Sequence, residues 1–332
     1  MKILITGNAG FLGSHLADAF IEDGHDVIGI DNLIGGYKEN VNPKVQFHQI
    51  DLCDYEKIKP LFLGVDVVYH CAATAYEGLS VFSPRLITKN IVDASISTIS
   101  ASIACGVKRF INLSSMARYG SNVPPFTEDM FPNPQDPYGI GKVAVENLLK
   151  NLADTHGMEW VIVVPHNIIG PRQKYDDPFR NVASIMINRV LQEKPPIIYG
   201  DGEQMRCFSF VQDVIDPLKS LLKSKIKSEV INVGPDNEFV TINQLAKEVL
   251  DLTGSELVPL YYPDRPKEVR YANCSAKKAK ELLGYEAKTE LREGLADLIA
   301  YIKDKGIKPF DYRLPLEIIN DKTPITWKNQ LF

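Results

Sequence analysis

The first half of the chain alternates short apolar runs with longer segments of helical character. The apolar runs predict strands at residues 2–6, 26–30, 45–50, 66–71, 108–113 and 160–164. The segments predicted as helices lie between them, at residues 11–23, 55–63, 83–105 and 136–155. Continuous apolar strands that alternate with helices are typical of a parallel sheet covered on both faces. The pattern therefore predicts an α/β fold built on a doubly wound parallel sheet.

The alternation loosens beyond Pro165, where glycine and proline become frequent and the predicted elements shorten. Helices are predicted there at residues 182–192, 212–222, 242–252 and 275–283. We expect residues 1–165 to form the sheet domain and residues 166–332 to form mainly a smaller, mixed α/β lobe. Segments near residues 207–233 are expected to cross back to the first domain.

A glycine-rich turn joins the first predicted strand to the first predicted helix. Its sequence, GNAGFLG, places Gly7, Gly10 and Gly13 where a pyrophosphate can approach the backbone at a helix N-terminus. Asp31 ends the second strand, where a carboxylate accepts hydrogen bonds from an adenosine ribose and repels a 2′-phosphate. The pattern predicts a Rossmann-type domain that binds NAD rather than NADP.

Residues after the other strands extend this predicted cofactor site. Asp51 and Leu52 follow the third strand and would cap the adenine amino group. Two small residues, Ala72 and Ala73, follow the fourth strand and would let a dinucleotide lie across the edge of the sheet. The full set of predicted cofactor contacts is Gly7, Gly10, Phe11, Leu12, Gly13, Asp31, Asn32, Asp51, Leu52, Ala72, Ala73, Asn90, Ser114, Tyr138, Lys142 and Pro165.

The composition narrows the functional classes. The chain has 37 Lys and Arg against 42 Asp and Glu, a formal net charge of −5, which gives no global attraction for nucleic acid or an anionic membrane. Its five cysteines are dispersed without the spacing of a metal site, which indicates free thiols in a reducing compartment. The chain shows neither a signal-peptide pattern nor an apolar run long enough to cross a bilayer. We therefore expect a cytoplasmic protein that binds no metal.

Tyr138 and Lys142 stand four positions apart at the start of a predicted helix and therefore share one helix face. A lysine ammonium beside a phenol lowers the pKa of the phenol, as does the positive charge of a nicotinamide ring. The pair thus predicts a general base for a sugar or alcohol hydroxyl. The run SSMARYG, residues 114–120, ends the strand before this helix and adds to the predicted catalytic site.

The order of these motifs resembles that of the extended short-chain dehydrogenase/reductase family, and within it the NAD-dependent nucleotide-sugar epimerases and dehydratases. The resemblance covers nearly the whole chain, from GNAGFLG and YGIGK to PHNIIGPRQ, YGDGEQMRCF and DRPKEVR. It implies hydride transfer from sugar C4 to bound NAD, a nucleotide-diphosphate sugar as substrate, and a homodimer or higher homo-oligomer through helices 83–105 and 136–155. The substrate contacts that it implies are Asn167, Asn181, Val182, Tyr199, Arg206 and Arg265.

Two positions depart from the pattern of this family. The family usually reads Arg-Pro-Gly-Asp where this chain has Arg-Pro-Lys-Glu, at residues 265–268. Met116 stands at the position of a catalytic Ser or Thr that hydrogen-bonds the sugar hydroxyl. A thioether cannot donate a hydrogen bond, so this position lacks the expected chemistry.

The missing hydroxyl leaves open what assists Tyr138. Because strand side chains alternate between the two faces, we expect Ser114 and Met116 to share the face towards the site and Ser115 to point away. Tyr138 then acts on the substrate alone, or with help from one of three polar residues upstream and downstream. These candidates are Tyr76, Glu77 and Arg118.

The same run bears on the type of reaction. The 4,6-dehydratases of the family carry an Asp-Glu pair just after the Ser or Thr, and those places hold Met116 and Ala117 here. The residues favour a UDP- or GDP-sugar 4-epimerase with Tyr138 as base and Lys142 as its electrostatic partner. The alternatives are a C4 dehydrogenase that releases a 4-keto sugar and recycles its NADH on a second substrate, a non-standard dehydratase, and a catalytically silent nucleotide-sugar binder.

Overall fold

A computed structural model describes residues 1–237 and 239–332 of the chain. The strands of its central sheet are β1 (Lys2–Thr6), β2 (Asp26–Asp31), β3 (Gln46–Gln49), β4 (Val67–His70), β5 (Arg109–Leu113), β6 (Glu159–Pro165) and β11 (Glu229–Val233). All neighbouring pairs are parallel, and their order is β11-β6-β5-β4-β1-β2-β3. The first six strands confirm the predicted apolar runs, whereas the seventh was not among the predicted strands.

The helices of the first half lie where the sequence predicts them, apart from a short helix at Glu77–Ser80 that was not among the predictions. They are α1 (Phe11–Glu22), α2 (Tyr55–Ile58), α3 (Glu77–Ser80), α4 (Pro84–Thr88), α5 (Ala94–Ala104) and α6 (Pro137–His156). The predicted helix at residues 83–105 is continuous, but a π-helical turn at Lys89–Asp93 separates α4 from α5. The predicted helix at residues 55–63 ends as a 3-10 helix at Lys59–Phe62, which has a proline in its first turn.

Alternate strand residues divide between two apolar cores, one on each face of the sheet. Leu4 of β1 belongs to the core that includes residues of α5 and α6, while Ile3 and Ile5 pack with α1 on the other face. All three side chains are fully buried. Burial on both faces explains why these strands read as unbroken apolar runs.

The second half of the chain builds a smaller lobe beside the sheet. Its helices are α7 (Val182–Leu191), α8 (Val211–Ser220), α9 (Ile242–Thr253), α10 (Lys277–Leu283), α11 (Leu291–Lys305) and α12 (Ile325–Lys328). Its short strands are β7 (Ile168–Ile169), β8 (Ile197–Tyr199), β9 (Met205–Arg206), β10 (Ser209–Phe210), β12 (Val240–Thr241), β13 (Leu260–Tyr262) and β14 (Tyr271–Ala272). Helices α7, α9 and α11 share a third core, whereas α8 returns to pack on α1.

The last segment of the chain runs back from this lobe to the start of α4. The Ser83 hydroxyl donates to the Pro315 carbonyl at 2.5 Å, and the Glu317 carboxylate accepts from the backbone N–H groups of Arg85 and Leu86 at 2.9 and 3.0 Å. Because these N–H groups belong to the first turn of α4, Glu317 acts as a cap for that helix from a distant part of the sequence. Among the described residues, no helix is both long and apolar enough to span a membrane.

Candidate active site

A first cleft lies at the carboxyl ends of β1, β2 and β4 and has an empty volume of about 880 Å³ including its open mouth. Twelve of the residues predicted to contact the cofactor line it. They are Gly7, Gly10, Phe11, Leu12, Gly13, Asp31, Asn32, Asp51, Leu52, Ala72, Ala73 and Asn90. The structure therefore brings together the predicted residues of four separate strand ends.

The turn after β1 has the shape that a bound pyrophosphate requires. Gly7 has a φ of +71°, and a Cβ there would lie 2.8 Å from Cα of Ala72. A Cβ on Gly13 would lie 2.3 Å from the carbonyl oxygen of Gly7. Helix α1 begins at Gly10 without a side-chain cap, so its first N–H groups stay available to an anion in the cleft.

Asp31 and Asn90 supply the polar groups of this cleft. The two carboxylate oxygens of Asp31 accept from the N–H groups of Ala9, at 3.0 Å, and Leu33, at 2.7 Å. Burial raises the pKa of Asp31, and these two hydrogen bonds oppose the rise. The Nδ2 of Asn90 is buried and has no hydrogen-bond partner among the described residues. An unsatisfied buried donor in a polar cleft fits a bound NAD that would complete its hydrogen bonds.

A second cleft, with an empty volume of about 1550 Å³, adjoins the first and shares Phe11, Ala75 and Arg180 with it. All six residues predicted for the substrate line this second cleft, as do three predicted cofactor contacts besides Phe11. They are Asn167, Asn181, Val182, Tyr199, Arg206 and Arg265, together with Ser114, Tyr138 and Pro165. The two clefts thus meet at Phe11, Ala75 and Arg180, and Tyr138 lines the second of them.

Two arginines of the second cleft converge on one carboxylate. Glu268 accepts from Nε and Nη2 of Arg265 at 3.1 and 3.0 Å, and Nη2 of Arg206 lies 3.6 Å from the same carboxylate. The guanidinium of Arg265 also lies over the Tyr199 ring, 4.7 Å from its centroid. Lys267 has a φ of +64°, so this loop adopts a glycine-like turn at the position where the related family carries glycine. The arrangement is a ready site for an anion with two negative charges.

Helix α6 positions the predicted base and its lysine. Its N-cap residue, Asp136, accepts the N–H of Gly139 at 2.9 Å, which places Tyr138 in the first turn. Lys142 is buried behind the cleft, where its Nζ donates to the Leu113 carbonyl at 2.8 Å. That Nζ lies 5.9 Å from the centroid of the Tyr138 ring. Burial lowers the pKa of Lys142 to about 8.

The protein alone raises the pKa of Tyr138, contrary to the prediction. Burial is the main cause, and the charge of Glu77 adds to it. The groups that oppose the rise are Ser115, through a hydrogen bond, and Arg180, through its charge. The Nζ of Lys142 points to the Leu113 carbonyl at the end of β5 rather than to the phenol. A positive charge above the phenol is therefore needed to bring its pKa towards neutrality.

Ser115, not Met116, lies beside Tyr138. Strand β5 ends at Leu113, and Met116–Arg118 forms a 3-10 turn whose N-cap is Ser115. Ser115 lines the second cleft, where its hydroxyl opposes the rise in the pKa of the Tyr138 phenol, while Met116 packs against the apolar core. The prediction that Ser115 points away and Met116 faces the site was wrong: Ser115 is still extended, with φ −153° and ψ 151°, and the chain leaves the strand geometry only at Met116, where the 3-10 turn begins. The hydroxyl that seemed to be missing is supplied one residue earlier.

A buried polar group stands behind these residues. The Ser114 hydroxyl donates to the Glu146 carboxylate, which also accepts from Nε of Arg118 at 3.0 Å. Arg118 and Glu146 are both almost fully buried. The charge of Glu146 opposes the lowering of the Lys142 pKa. This group therefore supports the ammonium form of the lysine from within the core.

The three residues considered as helpers of Tyr138 lie in different surroundings. Arg118 is held by its buried ion pair, and the Tyr76 hydroxyl donates to Asp177 at 2.6 Å. Glu77 is the one of the three that lines the second cleft.

The sequence reasoning missed two residues that enter the clefts from distant parts of the chain. Arg180 lines both clefts, and its Nη2 donates to the Gly35 carbonyl at 2.7 Å. Trp327 of α12 lines the second cleft and packs edge-to-face on Phe179, with ring centroids 5.2 Å apart. Neither has a local signal in the sequence, because both reach the clefts only through the packing of loops from the second lobe.

Comparison with known proteins gives these clefts a context. The model of the NAD dependent epimerase/dehydratase family matches residues 3–234. A UDP-glucose 4-epimerase of Thermotoga maritima, solved with UDP-glucose, is 36% identical over 92% of this chain and 99% of its own, with a TM-score of 0.87. A UDP-glucuronic acid 4-epimerase of Bacillus cereus, solved with UDP-glucuronic acid and NAD, is 29% identical over 92% and 100%, with a TM-score of 0.84. A UDP-glucuronic acid decarboxylase of Xenopus tropicalis is 31% identical over 91% of this chain and 72% of its own length.

Proposed function

This chain belongs to the NAD-dependent epimerase/dehydratase family, and on that premise we propose that it is a UDP-sugar 4-epimerase. The observation that carries the proposal is the position of Tyr138 and Ser115, which stand together in the second cleft where it adjoins the first. NAD, when bound, supplies a reversible acceptor for the hydride of sugar C4. Inversion at C4 otherwise needs only one group that takes a hydroxyl proton and returns it.

The residues of the first cleft would hold the dinucleotide by its polar parts. The N-terminus of α1 at Gly10 suits the pyrophosphate, and Asp31 suits the adenosine ribose. Lys142, buried behind the second cleft at the end of β5, would add positive charge towards a bound nicotinamide ribose. An acid at the end of β2 favours NAD over its 2′-phosphorylated form.

Tyr138 and Ser115 would divide the work on the sugar hydroxyl. Tyr138 takes the proton, and the Ser115 hydroxyl, which lines the same cleft and lowers the pKa of the phenol, orients the hydroxyl of the substrate and donates to the phenolate as it forms. Lys142 stabilises the phenolate by its charge across 5.9 Å to the ring centroid. The same groups return the proton when C4 is reduced on its other face.

The turn after β5 argues against elimination. In the related 4,6-dehydratases two acids follow the Ser or Thr, and here those positions hold Met116 and Ala117. Ala117 is buried and Met116 packs against the core, so this turn brings no acid to the substrate. None of the three relatives bears the name of a dehydrogenase, and we therefore do not favour the release of a keto sugar.

The proposal is tested by turnover of UDP-glucose and UDP-galactose. Incubation of the purified, NAD-loaded protein with either sugar is expected to yield the same equilibrium mixture of the two, measured by NMR of the anomeric protons. Deuterium placed at C4 of the substrate is expected to remain at C4 of the product, because the hydride returns to the sugar from which it came. A stable 4-keto product, or no inversion of any UDP-hexose, would contradict the proposal.

The paired arginines lead to a binding prediction. Replacing Arg265 by Met is expected to weaken UDP binding by about 10- to 100-fold, because the diphosphate loses a charged, two-pronged donor. NAD content should not change, because Arg265 lies in the second cleft only. Isothermal titration with UDP measures the effect. The matched control is Arg270→Met, which removes an exposed arginine paired with Asp201 at 2.8 Å; equal weakening in both variants would refute the assignment.

Assembly and location stay predictions from the sequence. A homodimer would use α5 and α6, and Ile140 of α6 is 56% exposed, as expected for a residue that a partner covers. The division at residue 165 and the cytoplasmic location likewise stay predictions.

A further inference from the structure

Glu77 is a carboxylate of the second cleft that the proposed reaction does not use. It begins α3, directly after the run of small residues that follows β4. Its side chain is open to the cleft that Tyr138 and Arg265 also line, and the walls of that cleft surround it. No hydrogen bond from a described residue reaches its carboxylate, in contrast to Glu268 in the same cleft. A charged group left open in a substrate cleft is available to a ligand.

Contacts on both sides fix Glu77 between the base and the arginines. On one side, the Ser80 hydroxyl lies 2.6 Å from the carbonyl oxygen of Glu77 and 3.4 Å from the carboxylate of Asp136, which caps α6 just before Tyr138. The charge of Glu77 is near enough to raise the pKa of the Tyr138 phenol. Glu77 is therefore tied to the turn that carries the base.

The other side of Glu77 faces the diphosphate end of the cleft. A Cβ at its neighbour Gly78 would lie 3.6 Å from Nη1 of Arg265. A UDP-sugar with its diphosphate at the arginines and its C4 hydroxyl at Tyr138 would therefore run its hexose past Glu77.

The charges that line the second cleft determine whether a negatively charged sugar can bind there. Arg206 and Arg265 provide two positive charges, and a nucleotide diphosphate brings two negative charges. Arg180, the third arginine of the cleft, directs Nη2 to the Gly35 carbonyl and packs on the Tyr76 ring, and it is not among the cations that lower the pKa of Glu77. Among the described residues, the cations that act on Glu77 are Arg206 and Arg265, which the diphosphate would occupy, so a third negative charge on the sugar would meet Glu77 with its repulsion largely unopposed.

Building on the proposed function, we infer that Glu77 makes the sugar end of the second cleft selective for uncharged hexoses. Its carboxylate accepts a hydrogen bond from a sugar hydroxyl and repels the carboxylate of a uronic acid. The relatives divide on this point, since one is named for UDP-glucose and two for UDP-glucuronic acid. By this inference, the sugar bound by the present chain resembles that of the first relative, which is an uncharged hexose.

A binding experiment tests the inference separately from turnover. UDP-glucose and UDP-glucuronic acid are titrated into the NAD-loaded wild type and into Glu77→Gln at pH 8, and the ratio of their dissociation constants is measured. Wild type is expected to bind the uronate about tenfold more weakly than the hexose, because two carboxylates would be brought together. In Glu77→Gln the ratio is expected to fall below about threefold. The control Glu256→Gln removes the same charge from an exposed surface position and should keep the wild-type ratio.

The outcomes are distinct from those of the epimerase test. Equal binding of the two sugars by wild type, binding of neither, or an unchanged ratio in Glu77→Gln would each overturn the inference. Selective binding of UDP-glucose without inversion at C4 would instead support the inference and refute the proposed 4-epimerase. Release of CO2 from UDP-glucuronic acid would overturn both.

A pH arm gives a second readout of the same contact. Enclosure by the cleft raises the pKa of Glu77 to about 7. The titratable and charged groups that face it are Tyr138 and Asp136 of the α6 start, Arg206 of β9, and Arg265 and Glu268 of the loop after β13. The carboxyl is ionised and repulsive above that pKa and neutral below it, while the uronate, with a pKa of about 4 or less, stays charged. The wild-type ratio is therefore expected to fall below about threefold at pH 6, and that of Glu77→Gln to stay constant.

Discussion

Replacing Tyr138 by Phe is expected to lower kcat for C4 inversion by about 10³-fold, the usual contribution of a well-placed acid or base. The variant keeps the ring that fills the cleft wall and removes only the phenol oxygen that takes the proton. Because Tyr138 is only 5% exposed in a wall packed against the core, a phenylalanine should fit the same space without loss of the fold. KM and UDP affinity should change little, since the diphosphate contacts lie at the other end of the cleft.

The measurement is initial-rate turnover of UDP-galactose, with bound NAD quantified in the same preparation. Tyr55→Phe is the matched control, because it removes a phenol oxygen from the start of α2, outside both clefts. A Tyr138→Phe enzyme that retains more than about a tenth of wild-type kcat would remove this residue from the role of base. Loss of bound NAD in that variant would show that its effect on turnover is indirect.

Replacing Ser115 by Ala is expected to lower kcat by about 10- to 100-fold, whereas Met116→Leu should leave kcat near wild type. The serine hydroxyl acts on the phenol, and without it the phenolate formed in the reaction would lack one hydrogen bond to a charged group, worth about 1.5 to 3 kcal/mol. Met116 touches the core and not the cleft, so exchange for a residue of similar volume should cost less than about 1.5 kcal/mol of folding stability.

The pair of variants distinguishes two interpretations of the same motif. If position 116 were the one that faces the substrate, Met116→Ser would increase turnover and Ser115→Ala would be nearly silent. The structure leads to the reverse expectation for both. Thermal unfolding of each variant, recorded beside kcat, separates a loss of chemistry from a loss of the folded state.

Ser115 also shows where sequence reasoning fails. The apolar run before it predicts β5 correctly, because burial on both faces demands such a run. The error came from continuing the strand geometry past its end, where the chain turns into a 3-10 helix capped by Ser115 itself. Serine is a common N-cap residue, so Ser115 could have been interpreted as a sign that the strand ends and a helical turn begins at Met116.

The first cleft could be predicted almost completely, and the second only in part. The cofactor contacts are residues at strand ends of one parallel sheet, and parallel strands bring such residues to one edge. The sugar end depends on loops from both lobes, and Arg180 and Trp327 arrive there through contacts between residues far apart in sequence. Helix α11 was also missed, although Leu291, Leu295 and Leu298 recur at helical spacing and are buried.

Glu268, held between Arg206 and Arg265, restricts the ligands of the second cleft to those that carry negative charge. Each ligand that enters must take over two guanidinium groups that already have an anionic partner. Binding is therefore an exchange of one anion for another, and a free monosaccharide has no charge to offer in that exchange. This resident carboxylate would therefore keep neutral sugars out of the cleft without any contact to the sugar itself.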